Sequence, residues 1–96
     1  MARQPETNFK VRALTKLNHR GWFFKTQQRA LKGIPDLIGC VNGYFVALEL
    51  KTDKGEADKL QKAILSQIRK NGGYAEIMTP SNMNKIIEEI EVYCGL

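Results

Sequence analysis

The sequence has few of the residues that most metal and hydrolase sites need. It contains two cysteines, Cys40 and Cys94, which form no C-x-x-C motif, and a single histidine, His19. One histidine and two distant cysteines cannot complete a tetrahedral zinc site. His19 lies in the last turn of a predicted helix, among basic residues, where it interacts well with the helix dipole. We therefore expect His19 to be structural or to contact phosphate, and a Ser-His-Asp hydrolase is disfavoured.

Long apolar runs are also absent. No stretch approaches the ~20 apolar residues that a membrane helix needs, and the N-terminus, Met-Ala-Arg-Gln-Pro-Glu, has no apolar core of a signal peptide. We expect no membrane association, a cytoplasmic location and no disulfide. The chain has 96 residues, of which 43% are hydrophobic and 26% charged. These values predict one globular domain that spans residues 1–96.

Charge is distributed unevenly along the chain. The net charge is +5, but residues 1–32 alone carry +7 and residues 33–96 carry −2. A basic half of this kind is typical of proteins that bind a polyanion. The alternative is that these charges only keep the surface solvated.

Hydrophobic periodicity predicts an α/β fold with the order α-β-β-β-α-β-α. In the second helix Leu60, Ile64, Leu65 and Ile68 are expected to face inward, and Ser81 is expected to cap the last helix. Both faces of the central hairpin are largely apolar, which predicts a mixed sheet with helices on both sides. The predicted helices cover residues 6–20, 57–71 and 81–93, and the predicted strands cover residues 22–27, 35–41, 44–51 and 74–79.

The Asn42-Gly43 pair predicts a hairpin with a two-residue type I′ turn. Paired residue numbers in such a hairpin sum to 85, so Asp36 is expected opposite Glu49. Gly39 marks a possible bulge that would change this register. Two like charges placed opposite each other are destabilising, and a divalent cation is the simplest compensation.

Lys51 shares the face of Glu49 because alternate residues of a strand point the same way. Two carboxylates and a lysine at one end of a sheet suit metal-assisted phosphodiester hydrolysis, since Mg²⁺ takes one or two carboxylates and keeps other positions for water and phosphate. Lys51 would orient or deprotonate water, or neutralise developing charge. The alternative is an ordinary ion pair between Glu49 and Lys51, with Asp36 as a turn residue.

Pro35-Asp36 followed by Glu49-Leu50-Lys51 resembles the PD-(D/E)xK nuclease superfamily. The form Gly-Ile-Pro-Asp-Leu-Ile-Gly, with Glu-Leu-Lys-Thr and a downstream Leu-Gln, is similar to the VRR-NUC (virus-type replication-repair nuclease) branch. The resemblance implies a restriction-endonuclease-like core. It also implies a Mg²⁺ or Mn²⁺ site and roles for six residues: metal binding by Asp36, Glu49, the Leu50 carbonyl and Glu6, catalysis by Lys51, and a place near the metal for Gln61. The alternative for Glu6 is that it is only a favourable carboxylate in a first helical turn. The alternative for Gln61 is an exposed helix residue.

Further residues are candidates for DNA contacts or for the core. The polar loop at 28–33 is suited to tracking a phosphate backbone. Trp22, Phe23 and Phe24 are expected in the core or a dimer contact rather than in base stacking. The acidic last helix is expected to face away from DNA. The candidate phosphate-binding residues are Lys10, Arg29, Lys32 and Lys54.

The resemblance implies a metal-dependent DNA endonuclease that acts as a homodimer on branched DNA, such as four-way (Holliday) junctions or flaps, in replication, repair or recombination. Its name points to a phage or its bacterial host. Two alternatives remain open: a non-catalytic nucleic-acid-binding module, and a subunit that contacts replication or repair proteins through the acidic helix. The complete set of Asp36, Glu49 and Lys51 argues against a pure binder, which has no use for two opposed carboxylates.

Overall fold

The structure is a computed structural model that describes residues 5–27 and 31–96, with side chains from residue 8 onward. The element order α-β-β-β-α-β-α is confirmed, and the observed elements begin and end within a few residues of the predicted ones. They are α1 (Pro5–Asn18), β1 (Trp22–Lys25), β2 (Leu37–Val41), β3 (Tyr44–Leu50), α2 (Lys59–Lys70), β4 (Tyr74–Met78) and α3 (Met83–Tyr93).

The four strands form one mixed sheet in the order β1-β2-β3-β4, in which β1 to β3 are antiparallel and β4 runs parallel to β3. Asn42 and Gly43 both have positive φ angles, 51° and 86°, as a type I′ turn requires. The predicted register holds along the whole β2–β3 ladder, from the pair Val41–Tyr44 to the pair Leu37–Leu48. No bulge occurs at Gly39, which pairs with Val46.

Helices pack on both faces of the sheet. Helices α1 and α3 cover one face and form the larger core with residues of β2 and β3 such as Leu37 and Leu48. Helix α2 covers the other face, where Leu65 packs on Ala47 and Ala75. No helix of the described chain is long and apolar enough to cross a membrane.

Helix α2 lies over β3 and β4, and the described helices leave the Trp22 and Phe24 side of β1 largely exposed. Of the three consecutive aromatic residues in β1, Phe23 is buried in the core as expected. Trp22 and Phe24 point to the α2 side and are 67% and 44% exposed, so the expectation of a core position is wrong for both. Their alternative role in a dimer contact stays a prediction.

Two local predictions are wrong. Leu60 is not in the core but 48% exposed, since it lies at the edge of α2 over Gly33. Ser81 does not cap α3: Asn82 occupies the N-cap position and makes no side-chain capping bond. The Ser81 hydroxyl instead donates to Asp53 Oδ1 at 2.6 Å, which ties the start of α3 to the loop after β3.

Candidate active site

Two carboxylates meet at the end of the β2–β3 hairpin. Extending the observed register by one residue places Asp36 opposite Glu49. Glu49 is the last but one residue of β3 and is only 1% exposed. The backbone amide of Leu50 donates to Asp36 Oδ2 at 2.8 Å, which fixes the Asp36 side chain toward β3. The hairpin therefore brings the two acids together as its turn chemistry predicts.

Thr26, which the sequence did not single out, holds the Asp36 backbone in place. Its amide donates to the Asp36 carbonyl at 2.9 Å, so the β1–β2 pairing continues one step past the strand ends. Its hydroxyl donates to the Pro35 carbonyl at 2.6 Å and contacts the Asp36 carbonyl at 3.2 Å. The available signal was a threonine near the end of the predicted strand 22–27, and it is a weak one.

Gly33 sets the direction of the chain as it enters this segment. Its φ angle is +80°, a conformation that favours glycine. A Cβ atom at this position would lie 2.7 Å from Leu60 Cγ and 3.0 Å from Ile64 Cδ1. Glycine is thus required at position 33 by its backbone angle and by close packing against α2. The chain then continues to Pro35-Asp36 at the end of the sheet.

Burial makes the Glu49 carboxyl hard to ionise. Burial first, and then the adjacent Asp36 carboxylate, raise its pKa from 4.5 to about 8, although the charge of Lys51 acts in the opposite direction. Neither carboxyl oxygen of Glu49 has a hydrogen-bond partner among the described residues. A buried carboxyl without a partner is costly. A bound cation or a hydrogen-bond donor next to Glu49 would remove this cost, and the described residues supply no such donor.

A cleft of about 240 Å³ is lined by most of the residues predicted for the site. Its lining includes five predicted residues and Lys10 of α1, which was predicted only as a DNA contact. The predicted residues in the cleft are Asp36, Glu49, Leu50, Lys51 and Gln61. The cleft thus brings together residues from four parts of the chain. They meet because of the β2–β3 register, the β3–α2 connection and the packing of α1.

Gln61 has a structural task in addition to its place in the cleft. Its amide oxygen accepts from the Asp58 backbone at 2.9 Å, and its own backbone donates to Asp58 Oδ1 at 2.8 Å. These two bonds form a capping box at the start of α2. The cap fixes the Gln61 side chain at the cleft wall, so a structural role and a site role are compatible.

The other predicted residues lie farther out or beyond the described part. Lys32 and Lys54 are exposed and do not line the cleft. Arg29 and the Glu6 side chain lie outside the described residues, although the Glu6 backbone belongs to the first turn of α1. Sequence reasoning missed Lys25, which lines a second cleft of about 230 Å³ beside Asp36. Its position at the end of β1 in the basic half was the available signal.

The described side chains contain no group of three or more His, Cys, Asp or Glu residues placed to hold a metal ion. Two carboxylates and a backbone carbonyl still fit Mg²⁺ or Mn²⁺, because Mg²⁺ commonly takes one or two carboxylates and keeps several waters. The unpartnered, buried oxygens of Glu49 are the observation that supports this fit.

Comparison with known proteins identifies the fold. No family model and no curated protein matches the sequence. Among solved structures, a VRR_NUC domain protein matches with a TM-score of 0.70 and 17% sequence identity, covering 100% of this chain and 93% of the other. At that identity the likeness concerns the fold. The chain therefore has the fold of a VRR-NUC domain, and the expected small nuclease-like α/β core is confirmed.

Proposed function

We propose that this chain, whose fold is that of a VRR-NUC domain, is a metal-dependent DNA endonuclease. One observation carries the proposal: Glu49 is buried beside Asp36 and has no hydrogen-bond partner in the described part of the chain, in a cleft that also contains Lys51. A non-catalytic module would gain no stability from such a pair, since like charges facing each other are destabilising. A site that binds a cation together with a phosphate accounts for it.

Asp36, Glu49 and the Leu50 carbonyl are the groups that would hold Mg²⁺ or Mn²⁺, with Glu6 as a further candidate. When bound, the ion polarises the phosphate and lowers the pKa of a water molecule. The chain's own contribution is to fix the two acids. The Leu50 amide holds Asp36 from one side, and the surrounding core holds Glu49 in a single environment of low polarity.

Lys51 supplies the positive charge that the reaction needs next to the carboxylates. It is half-buried in the cleft, and its charge lowers the pKa of Glu49. In this position the ammonium group orients the attacking water and neutralises charge that develops on the phosphate. Gln61, fixed by its capping box, lies in the same cleft and is suited to donating a hydrogen bond to water or phosphate.

DNA would approach from the basic side of the molecule. Lys10 and Lys25 line the clefts on either side of Asp36, and Lys32 and Lys54 are exposed in the loops before and after the hairpin. The acidic helix α3 packs on the opposite face of the sheet from Glu49, which is compatible with the expectation that it faces away from DNA. This arrangement supports phosphate contacts around the cleft.

The preference for branched DNA and the homodimer are the finer parts of the proposal, and they follow from the family resemblance. Two symmetric sites in a homodimer would suit the paired cuts that resolve a four-way junction. Such chemistry belongs to replication, repair or recombination, in the cytoplasm of a bacterium or of a phage-infected cell.

The test is cleavage of labelled duplex, flap and four-way-junction DNA, with Mg²⁺ or with EDTA, by wild type and by Asp36→Ala. We expect Mg²⁺-dependent cleavage that is strongest on the junction or flap, and no cleavage by the variant. Lys85→Gln, on the acidic helix, is the matched control and should cleave like wild type. Equal cleavage by Asp36→Ala, or binding without cleavage under every metal condition, would favour the binding module instead.

A further inference from the structure

One side of strand β1 presents an aromatic surface on the same sheet face as the active site. Cross-strand pairing places Trp22 beside Cys40 and Phe24 beside Ile38, and Cys40 in turn pairs with Phe45. We call these five residues the open face. Their face is the one on which Glu49 lies, since Glu49 is four positions after Phe45 along β3 and alternate residues of a strand share a face.

The exposed rings on the open face are close together and accessible. Trp22 and Phe24 are two residues apart on β1, with ring centroids 5.5 Å apart and planes tilted by 46°. They are 67% and 44% exposed, and Phe45 is 45% exposed. Large exposed aromatic groups that gather in one place commonly mark a binding surface.

Trp22 and Phe24 lie along β1 on the side that ends next to the carboxylates. Thr26 is the next residue on the same side of β1, and its amide binds the Asp36 carbonyl. With a rise of about 3.3 Å per residue, Phe24 and Trp22 lie about 7 Å and 13 Å along the strand from the Asp36 level. A nucleic acid strand bound at the cleft would therefore reach the rings within a few nucleotides.

Charge near the open face favours a polyanion as its occupant. The described basic residues of α1, and Lys25 of β1, belong to the other face of the sheet, so the positive charge on this side comes from α2. Helix α2, which borders the open face, contains Lys59, Lys62, Arg69 and Lys70 and no acidic residue. The described carboxylates of α3 belong to the opposite side of the sheet.

A second copy of the chain is a poorer occupant. In a two-fold dimer each surface meets its own copy, so this basic region would face itself. The three exposed rings offer roughly 300 Å² of apolar surface, whereas a stable interface buries about 800 Å² per partner. The charge and the small area both favour nucleic acid.

From these observations we infer that Trp22 and Phe24 stack on unpaired bases of the DNA strand that enters the Asp36–Glu49 cleft. The inference rests on the proposed function, because that function is what brings DNA to the cleft. Aromatic side chains next to a basic surface are a common platform for single strands, since every base has a face that can stack. The proposed substrate class is therefore DNA with a single-stranded segment next to the cleaved bond.

The test uses binding without cleavage, so that it is independent of catalysis. In EDTA, a fluorescein-labelled oligothymidylate and a labelled blunt hairpin duplex are titrated with protein, and anisotropy is measured. Trp22 is the only tryptophan, so its own fluorescence reports contact with unlabelled oligothymidylate in the wild type. The variants are Trp22→Ala, Trp22→Phe and, as a matched control, Val92→Ala, which removes an 81% exposed apolar side chain elsewhere.

We expect oligothymidylate to quench Trp22 and Trp22→Ala to weaken its binding roughly tenfold, with Trp22→Phe and Val92→Ala close to wild type. The duplex should bind all four proteins equally.

An equal loss of affinity for oligothymidylate and for the duplex in Trp22→Ala, or no loss for either, would overturn the inference. A shift from dimer to monomer on sedimentation of Trp22→Ala would overturn it too, since the open face would then be an interface between copies. If oligothymidylate quenches Trp22 and the protein cleaves no DNA with Mg²⁺, the stacking surface stands and the endonuclease proposal fails.

Discussion

The backbone amide of Leu50 donates a 2.8 Å hydrogen bond to the Asp36 side chain across the hairpin. This bond fixes the Asp36 carboxyl group against β3, whereas the neighbouring Glu49 is buried and has no hydrogen-bond partner among the described residues. The pair is thus asymmetric: a backbone amide holds one acid, and the other is buried beside it.

The first prediction concerns pH and the metal-free protein. The pKa of Glu49 is raised by folding from 4.5 to about 8, so its contribution to stability is complete below pH 4.5 and is lost as the pH rises toward 8. In EDTA, the free energy of unfolding should fall over this range by at most about 1.4 kcal/mol per pH unit from this group. Urea denaturation at several pH values measures the slope, and Glu49→Gln should reduce it. A slope that Glu49→Gln leaves unchanged would show that other groups cause it.

The second prediction separates the two roles of Asp36. Asp36→Asn removes a negative charge but keeps an oxygen that can accept from the Leu50 amide. At pH 8 in EDTA this variant should be more stable than wild type by about 1 kcal/mol. Asp36→Ala also loses the acceptor and should be less stable than Asp36→Asn by about 1 kcal/mol. Urea denaturation of the three proteins is the measurement, and an Asn variant less stable than wild type contradicts the opposed-charge account.

The third prediction concerns Thr26, whose hydroxyl donates to the Pro35 carbonyl. Thr26→Val keeps the shape and loses this bond, which should cost about 1 kcal/mol of stability. It should also weaken Mn²⁺ binding, because Thr26 then holds the Asp36 backbone through its amide alone. Thr26→Ser keeps the hydroxyl and is the matched control. If Val and Ser variants bind Mn²⁺ equally well, the hydroxyl does not position Asp36.

The fourth prediction concerns Gly33. Gly33→Ala combines a positive φ angle with a close contact to Leu60, whereas Gly72→Ala has a φ angle of +91° and open space around it. Gly72→Ala should cost about 1 kcal/mol, and Gly33→Ala should cost about 1–3 kcal/mol more because of the steric contact. Thermal denaturation compares them. Adding Leu60→Ala should recover part of the Gly33→Ala loss, and no recovery would mean that Leu60 is not the obstacle.

The hairpin and its carboxylates could be predicted from the sequence for a definite reason. The Asn42-Gly43 turn fixes the pairing, and the two-residue period of a strand then fixes which side chains share a face. No other information was needed to place Asp36, Glu49 and Lys51 on one face of the hairpin. The order of the elements followed in the same way from local periodicity.

The features that were missed depend on contacts between distant parts of the chain. Thr26 binds the carbonyls of residues nine and ten positions away, and Ser81 is bound by Asp53, 28 positions away. The exposure of Trp22 and Phe24 depends on how far α2 extends across the sheet. A strand's own sequence does not contain that information.

The central claim is that Asp36 and Glu49 form a divalent cation site, and calorimetric titration with Mn²⁺ near neutral pH tests it most directly. The control is Lys54→Gln, which removes an exposed charge in the loop after β3. The account predicts that wild type and Lys54→Gln bind Mn²⁺ alike, and that Asp36→Asn and Glu49→Gln bind at least about tenfold more weakly. Equal Mn²⁺ affinity in all four proteins would contradict it.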